Sequence, residues 1–191
     1  MRCVVAAFLF VICLSPGAAR AQSGGPAPFS VDDRAFTFKV PQSRVVVRVP
    51  DTSLRPSAEP GDGPNYFKLE RRDPPLMVSG WLKPAAGYKG LDALWQSESQ
   101  SPAFAGPLAP TRVEMLHEGP WEVVAYDVAL PDGATQCNLR AEQVEAGTWV
   151  DLHLSTASTR PSATLRAELM AALREIPVWE KVVTRLPIAK P

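Results

Sequence analysis

Late in the sequence, apolar and polar residues alternate on either side of a single short turn. Thr135 to Val144 and Thr148 to Ser155 alternate apolar and polar residues around Glu145-Ala146-Gly147. Side chains on a strand point to opposite faces in turn, so a slip of one residue would move every apolar side chain to the wrong side. A two-residue Ala-Gly turn therefore makes a hairpin with one register. Leu139 meets Leu154 and Ala141 meets Leu152 on an apolar face; Arg140 meets His153 and Glu142 meets Asp151 on a polar one.

The same period recurs upstream. Phe36, Phe38 and Val40 share a face, as do Val45, Val47 and Val49 with Arg48 turned outward. Further strands are expected near Tyr66–Arg71, Leu76–Leu82, Arg112–His117 and Trp121–Leu130, where Val124, Tyr126, Val128 and Leu130 form the stronger apolar row. Asp51–Pro64 and Ser101–Pro110 are rich in Pro and Gly and read as loops. Leu91, Leu94 and Trp95 sit at helical spacing, giving a short helix from about Gly90 to Gln100. A closing helix starts at Pro161, lines Leu165, Leu169, Ala172, Leu173 and Ile176 along one face, and stops at Pro177. Arg166, Glu168 and Glu175 fall off that row, so Arg166 is expected to contribute little to stability. Runs of hairpin strands with few crossovers imply an α+β class, a central antiparallel sheet with flanking helices.

The amino terminus carries an export signature. Arg2 precedes the apolar run Cys3–Leu14, and Ala19-Arg20-Ala21 offers the small residues a signal peptidase reads, with cleavage before Gln22. The run is shorter than the roughly 20 residues that span a bilayer. Cys13 lies inside it without small residues before it, which argues against lipidation. The expected divisions are a signal peptide at 1–21, a flexible leader at 22–34, one α+β domain at 35–180 and a tail at 181–191. No integral membrane segment remains after processing, and the destination is the periplasm or the medium.

The 191-residue chain has 20 basic and 20 acidic side chains. Two of the basic ones, Arg2 and Arg20, leave with the signal, so the mature chain is slightly acidic. That gives no electrostatic reason to expect nucleic acid as a partner. Cys137 is the one cysteine downstream of the signal, so no intrachain disulfide forms. Parity turns Cys137 toward the core with Leu139, away from His153, which makes it a packed and inert thiol rather than a nucleophile.

Three segments carry a family likeness: Ala35-Phe-Thr-Phe-Lys-Val-Pro41, Gly119-Pro-Trp-Glu-Val-Val-Ala-Tyr126 and Gly147-Thr-Trp-Val-Asp-Leu-His153. With the order of elements, they resemble the PsbP/Mog1-like superfold. The group includes photosystem accessory subunits, a regulator that binds a small GTPase, and exported bacterial proteins. The resemblance implies a central antiparallel sheet between helices and a non-catalytic binding role. It transfers no functional residue.

Catalytic and cofactor motifs are missing from the sequence. His117 and His153 stand apart from any HxH or HExxH spacing, and no Gly-rich phosphate loop or Gly-x-Ser-x-Gly elbow occurs. No metal or cofactor is expected. The candidate binding residues are the polar face of the hairpin: Asn138, Arg140, Glu142, Trp149, Asp151 and His153. Two carboxyls beside an Arg and a His suit a polar ligand or acid–base work, and Trp149 suits a partner contact. The alternation leaves open whether this face meets solvent or a covering helix. The other tryptophans, Trp81, Trp95, Trp121 and Trp179, read mainly as packing residues, with an aromatic binding platform as the alternative.

The favoured function is an exported, non-catalytic binding or accessory domain for a protein partner or a small ligand. Alternatives are a secreted or periplasmic inhibitor or immunity-type protein, and a hydrolase or transferase using Arg140, Glu142, Asp151 and His153. Expressed in a bacterium, the mature protein should begin within about a residue of Gln22 by amino-terminal sequencing. An intact Met1 on membrane-bound protein would contradict the export reading.

Overall fold

The computed structural model describes residues 29–32, 35–40, 43–57 and 62–180. The expected signal peptide, most of the expected leader and the expected tail at 181–191 lie outside these residues. Described strands run β1 (Phe29–Asp32), β2 (Ala35–Lys39), β3 (Val45–Val49), β4 (Arg55–Pro56), β5 (Tyr66–Arg72) and β6 (Pro75–Pro84). After a 3-10 turn at Ala85–Gly87 come α1 (Leu91–Ser99), β7 (Thr111–Glu118), β8 (Trp121–Ala129), β9 (Thr135–Glu145) and β10 (Thr148–Ser158). The described chain closes with α2 (Ser162–Arg174) and β11 (Val178–Glu180). None of the described helices is long and apolar enough to cross a membrane.

The α+β class holds. The strands divide between two antiparallel sheets, one of seven strands in the order β4-β5-β6-β10-β9-β8-β7 and one of four in the order β1-β2-β3-β11. Phe29–Asp32 belongs to the second of these and pairs with β2, although the sequence reading put it in the leader. It lacks a long period-two run of its own and takes its order from the neighbour it pairs with.

The β9–β10 hairpin has the expected register, with Leu139 opposite Leu154, Ala141 opposite Leu152, Arg140 opposite His153 and Glu142 opposite Asp151. Ala146 and Gly147 at its tip both have positive φ, 45° and 76°, the sign pattern of a type I′ turn that matches strand twist. Along the central strands, parity separates two surfaces. Leu139, Ala141, Val150, Leu152, Leu154, Val123 and Ala125 are buried in the main core with Leu165, Leu169, Leu173 and Ile176 of α2. Phe36, Phe38, Val45, Val47 and Val49 of the four-stranded sheet belong to the same cluster. Gly80 on β6 permits the close fit there, because a Cβ would stand 2.6 Å from Leu152 Cδ2 and 2.8 Å from Phe67 Cε1. On the opposite surface Val124, Tyr126 and Val128 form a second cluster with Leu91 and Trp95 of α1, Phe104 and Leu108.

Cys137 is fully buried on the α2 side, and burial pushes its thiol pKa up, as an inert core thiol requires. Arg166 departs from expectation. It leaves the apolar row of α2 but bends onto the sheet, where its Nε donates to Asp127 Oδ1 at 3.1 Å. Asp127 is 1% exposed and also accepts from Ser162 Oγ at 2.5 Å, at the start of α2. Burial alone would raise the Asp127 pKa; hydrogen bonds from Ser162 and Arg166 lower it overall. Position off the apolar stripe is no guide to cost when the side chain answers a buried charge.

Leu169→Ala should therefore cost about 2–5 kcal/mol through lost burial and a cavity. Arg166→Ala should cost about 1–3 kcal/mol, since it strips a charged donor from a buried acceptor. Denaturant melts of both variants check this, and a silent Arg166→Ala would show that Asp127 does not need it.

Candidate functional site

All six candidate residues lie on the sheet surface opposite α2, because they share parity in one hairpin. Asn138, Arg140 and Glu142 come from β9, and Trp149, Asp151 and His153 from β10. Neighbouring strands add to the same surface: β6 sets Lys83, Trp81 and Ser79 opposite Trp149, Asp151 and His153, and β8 sets Glu122 opposite Glu142. β5 continues it with Tyr66 opposite Trp81. α1 supplies Glu98 from above, and the 3-10 turn leads into Tyr88.

The surface has a buried floor and a half-buried rim. Glu142 is 0% exposed, and Asn138 and Asp151 are each 1% exposed. Burying ions is costly unless they are paired, and pairing is what the floor supplies. Lys83 Nζ donates to Asp151 Oδ2 at 2.7 Å, and Arg140 Nη2 lies 2.9 Å from Asp151 Oδ1. Arg140 Nη2 also donates to Glu98 Oε1 at 2.6 Å, which ties α1 to the sheet. The floor is thus a polar layer covered in part by a helix, not an open sheet face.

The electrostatics follow from that enclosure. Burial pulls the Asp151 pKa upward, but Arg140 and Lys83 outweigh it and hold the carboxylate below its ordinary range. Burial pushes Glu142 up strongly, the charge on Asp151 adds to the rise, and Arg140 only partly offsets them. Glu98 is also raised by burial, against the pull of Arg140. His153 is driven down to about 3 by burial and then by the charge on Arg140. It is neutral at physiological pH, with a ring nitrogen 3.1 Å from Asn138 Oδ1.

The rim is aromatic. Trp149 is half-buried, donates its indole N–H to Glu142 Oε2, and stands 5.3 Å from the Tyr88 ring. The Lys83 ammonium sits 4.3 Å from the Trp149 ring centroid and 5.7 Å from that of Trp81. Trp81 in turn packs on Tyr66 at 4.6 Å. Tyr88 donates its hydroxyl hydrogen to Glu122. An open cavity of about 270 Å³ adjoins this corner, between the start of α1 and β7–β8, lined by Lys89, Asp92, Met115, His117 and Glu122 among others. His117 itself is exposed.

The structure therefore brings the six candidates together and adds Lys83, Tyr88 and Glu98, which the sequence reading missed. Lys83 was legible in principle: it shares the parity of Trp81 at the end of a strong strand. Glu98 was not, since nothing local announces that a helix 42 residues upstream will close over Arg140. Trp121 is a core residue at 3% exposure, whereas Trp179 is 40% exposed.

No protein-family model matches the chain, and no curated protein matches it in sequence. Solved structures resemble it in fold. The solution structure of cyanobacterial PsbP (CyanoP) from Synechocystis sp. PCC 6803 aligns with 84% of this chain and 98% of its own, at 14% identity and a TM-score of 0.52. The Saccharomyces cerevisiae Ran-binding protein Mog1p covers 74% of this chain and 91% of its own, at 12% identity and a TM-score of 0.47. LpqN of Mycobacterium tuberculosis, involved in cell envelope biogenesis, covers 74% and 86% at 14% identity and a TM-score of 0.42. The fold is PsbP/Mog1-like.

Proposed function

We propose that this chain is an exported binding or accessory domain, without a reaction of its own, that engages a protein partner or small ligand through the aromatic rim around Trp149. The observation that carries the reading is the state of Trp149: half-buried, yet held on three sides by Glu142, Tyr88 and Lys83. A large amphipathic side chain whose orientation is set in advance loses little entropy when a partner covers it. Trp81, Tyr66 and Tyr88 extend the same rim.

The floor supports binding over acid–base chemistry. Arg140 and Lys83 are already committed to Asp151, and Arg140 also to Glu98. His153 stays neutral beside Asn138 and is shielded by its strand neighbours. In this reading Arg140, Glu142 and Asp151 position Trp149 and Lys83; they do not themselves meet the partner. Asn138 and His153 complete the polar layer beneath.

The test is capture from the envelope and medium fractions of the exporting cell, with wild-type protein and Trp149→Ala compared on the species recovered. Trp149→Ala should weaken capture by about 2 kcal/mol or more, roughly thirtyfold in affinity. Its melting midpoint should fall less than that of Leu169→Ala. Equal capture of the same species by both folded proteins would remove Trp149 from the binding surface.

A further inference from the structure

Two carboxyl groups buried face to face cannot both carry a charge without severe repulsion and desolvation. Glu142 and Asp151 are direct cross-strand partners, 0% and 1% exposed. Their outer oxygens are occupied: Glu142 Oε2 accepts the Trp149 indole N–H, and Asp151 Oδ2 accepts Lys83 Nζ at 2.7 Å. Their remaining oxygens, Glu142 Oε1 and Asp151 Oδ1, are each buried without a hydrogen bond. Arg140 Nη2 approaches Asp151 Oδ1 to 2.9 Å as an ion pair but is not aligned to donate to it. Two orphaned acceptors on paired residues are what a missing proton looks like, since a protonated carboxyl is a donor and one O–H satisfies both.

We propose that Glu142 keeps its proton at neutral pH and donates it from Oε1 to Asp151 Oδ1, so that a single buried proton locks the floor and fixes the acceptor that orients Trp149. The cations decide which acid holds it. Lys83 from β6 and Arg140 from β9 both contact Asp151, which therefore stays ionised. Glu142 faces Asp151 across β10 and Glu122 across β8, with Trp149 and Tyr88 at the rim and Arg140 beside it on β9. Of these Asp151 and Glu122 are acids, and the charge on Asp151 opposes a second carboxylate. The upward shift of Glu142, caused first by burial and then by Asp151, has the direction this arrangement requires. The lock stands whether or not Trp149 meets a partner.

The pH dependence has a definite sign. A carboxyl that keeps its proton in the fold and loses it on unfolding contributes stability that declines as pH rises above its unfolded value, 4.5 for Glu142. His153 acts oppositely: neutral in the fold and charged when unfolded below 6.5, it makes stability rise with pH up to that point. The two offset each other in mild acid. From pH 7 to 8, below the range where Cys137 and the tyrosines titrate, the Glu142 effect emerges.

The experiment is denaturant unfolding of wild type and Glu142→Gln at pH 7 and 8. The glutamine amide can accept from Trp149 and donate to Asp151, replacing the proton with a permanent donor. The wild-type unfolding constant should rise about tenfold over that unit, as expected for one proton, while that of E142Q should change by less than about twofold. Parallel curves for the two proteins would overturn the proposal. Should E142Q fail to fold, the assigned carboxyl carbon resonance of Glu142 in the wild type decides. A shift at the protonated limit at pH 7 supports the lock, and one at the ionised limit refutes it.

Discussion

The register of the β9–β10 hairpin governs the rest of this structure. With Ala146 and Gly147 at its tip, every odd residue from Cys137 to Ala141 and every even one from Val150 to Leu154 points to the α2 side. The intervening polar side chains must then share the opposite surface. That surface lies partly under α1, so charges that a free hairpin would leave to water have to satisfy one another. Asp151 answers this by taking both Lys83 and Arg140. The cost of desolvating these ions is several kcal/mol each, and only mutual contact offsets it.

Both helices are docked by the same device, one on each side of the sheet. On one surface α1 adds Glu98 to Arg140; on the other α2 adds Arg166 and Ser162 to Asp127. In each case an apolar stripe supplies burial and a charged contact fixes position. Leu91 and Trp95 cover Val124 and Tyr126, while Leu165, Leu169 and Leu173 cover the central strands. Apolar packing tolerates sliding, whereas a buried ion pair does not. A rigid floor follows, and with it a Trp149 held ready at the rim.

Much of this was readable in the sequence, and the limits have physical causes. Period two identified the strands and the hairpin pairing, because a type I′ turn and alternating burial leave one register. Period 3.6 gave the buried row of α2. What alternation reports is which residues share a face, not what later covers that face. Arg140 and Glu142 were therefore recognisable as polar-face residues, while the contact of Arg140 with α1 and the burial of Glu142 beside Trp149 were not. Arg166 failed for a similar reason, since its partner Asp127 is 39 positions away on another element, and no local pattern links the two. The split into two sheets was hidden as well, because β2 and β3 pair locally and nothing in their pattern says which sheet they join.

If the floor is a compensated charge cluster, its members must be energetically coupled. The most direct measurement is a double-mutant cycle between Arg140 and Asp151, read by equilibrium unfolding at neutral pH. Each alanine variant alone should cost about 3–5 kcal/mol, because it removes one of the two charged partners that compensate a buried ion. The double variant should cost about 2 kcal/mol or more below the sum of the two. Additivity to within about 0.5 kcal/mol would mean the two side chains do not depend on each other, and the compensated floor would not exist.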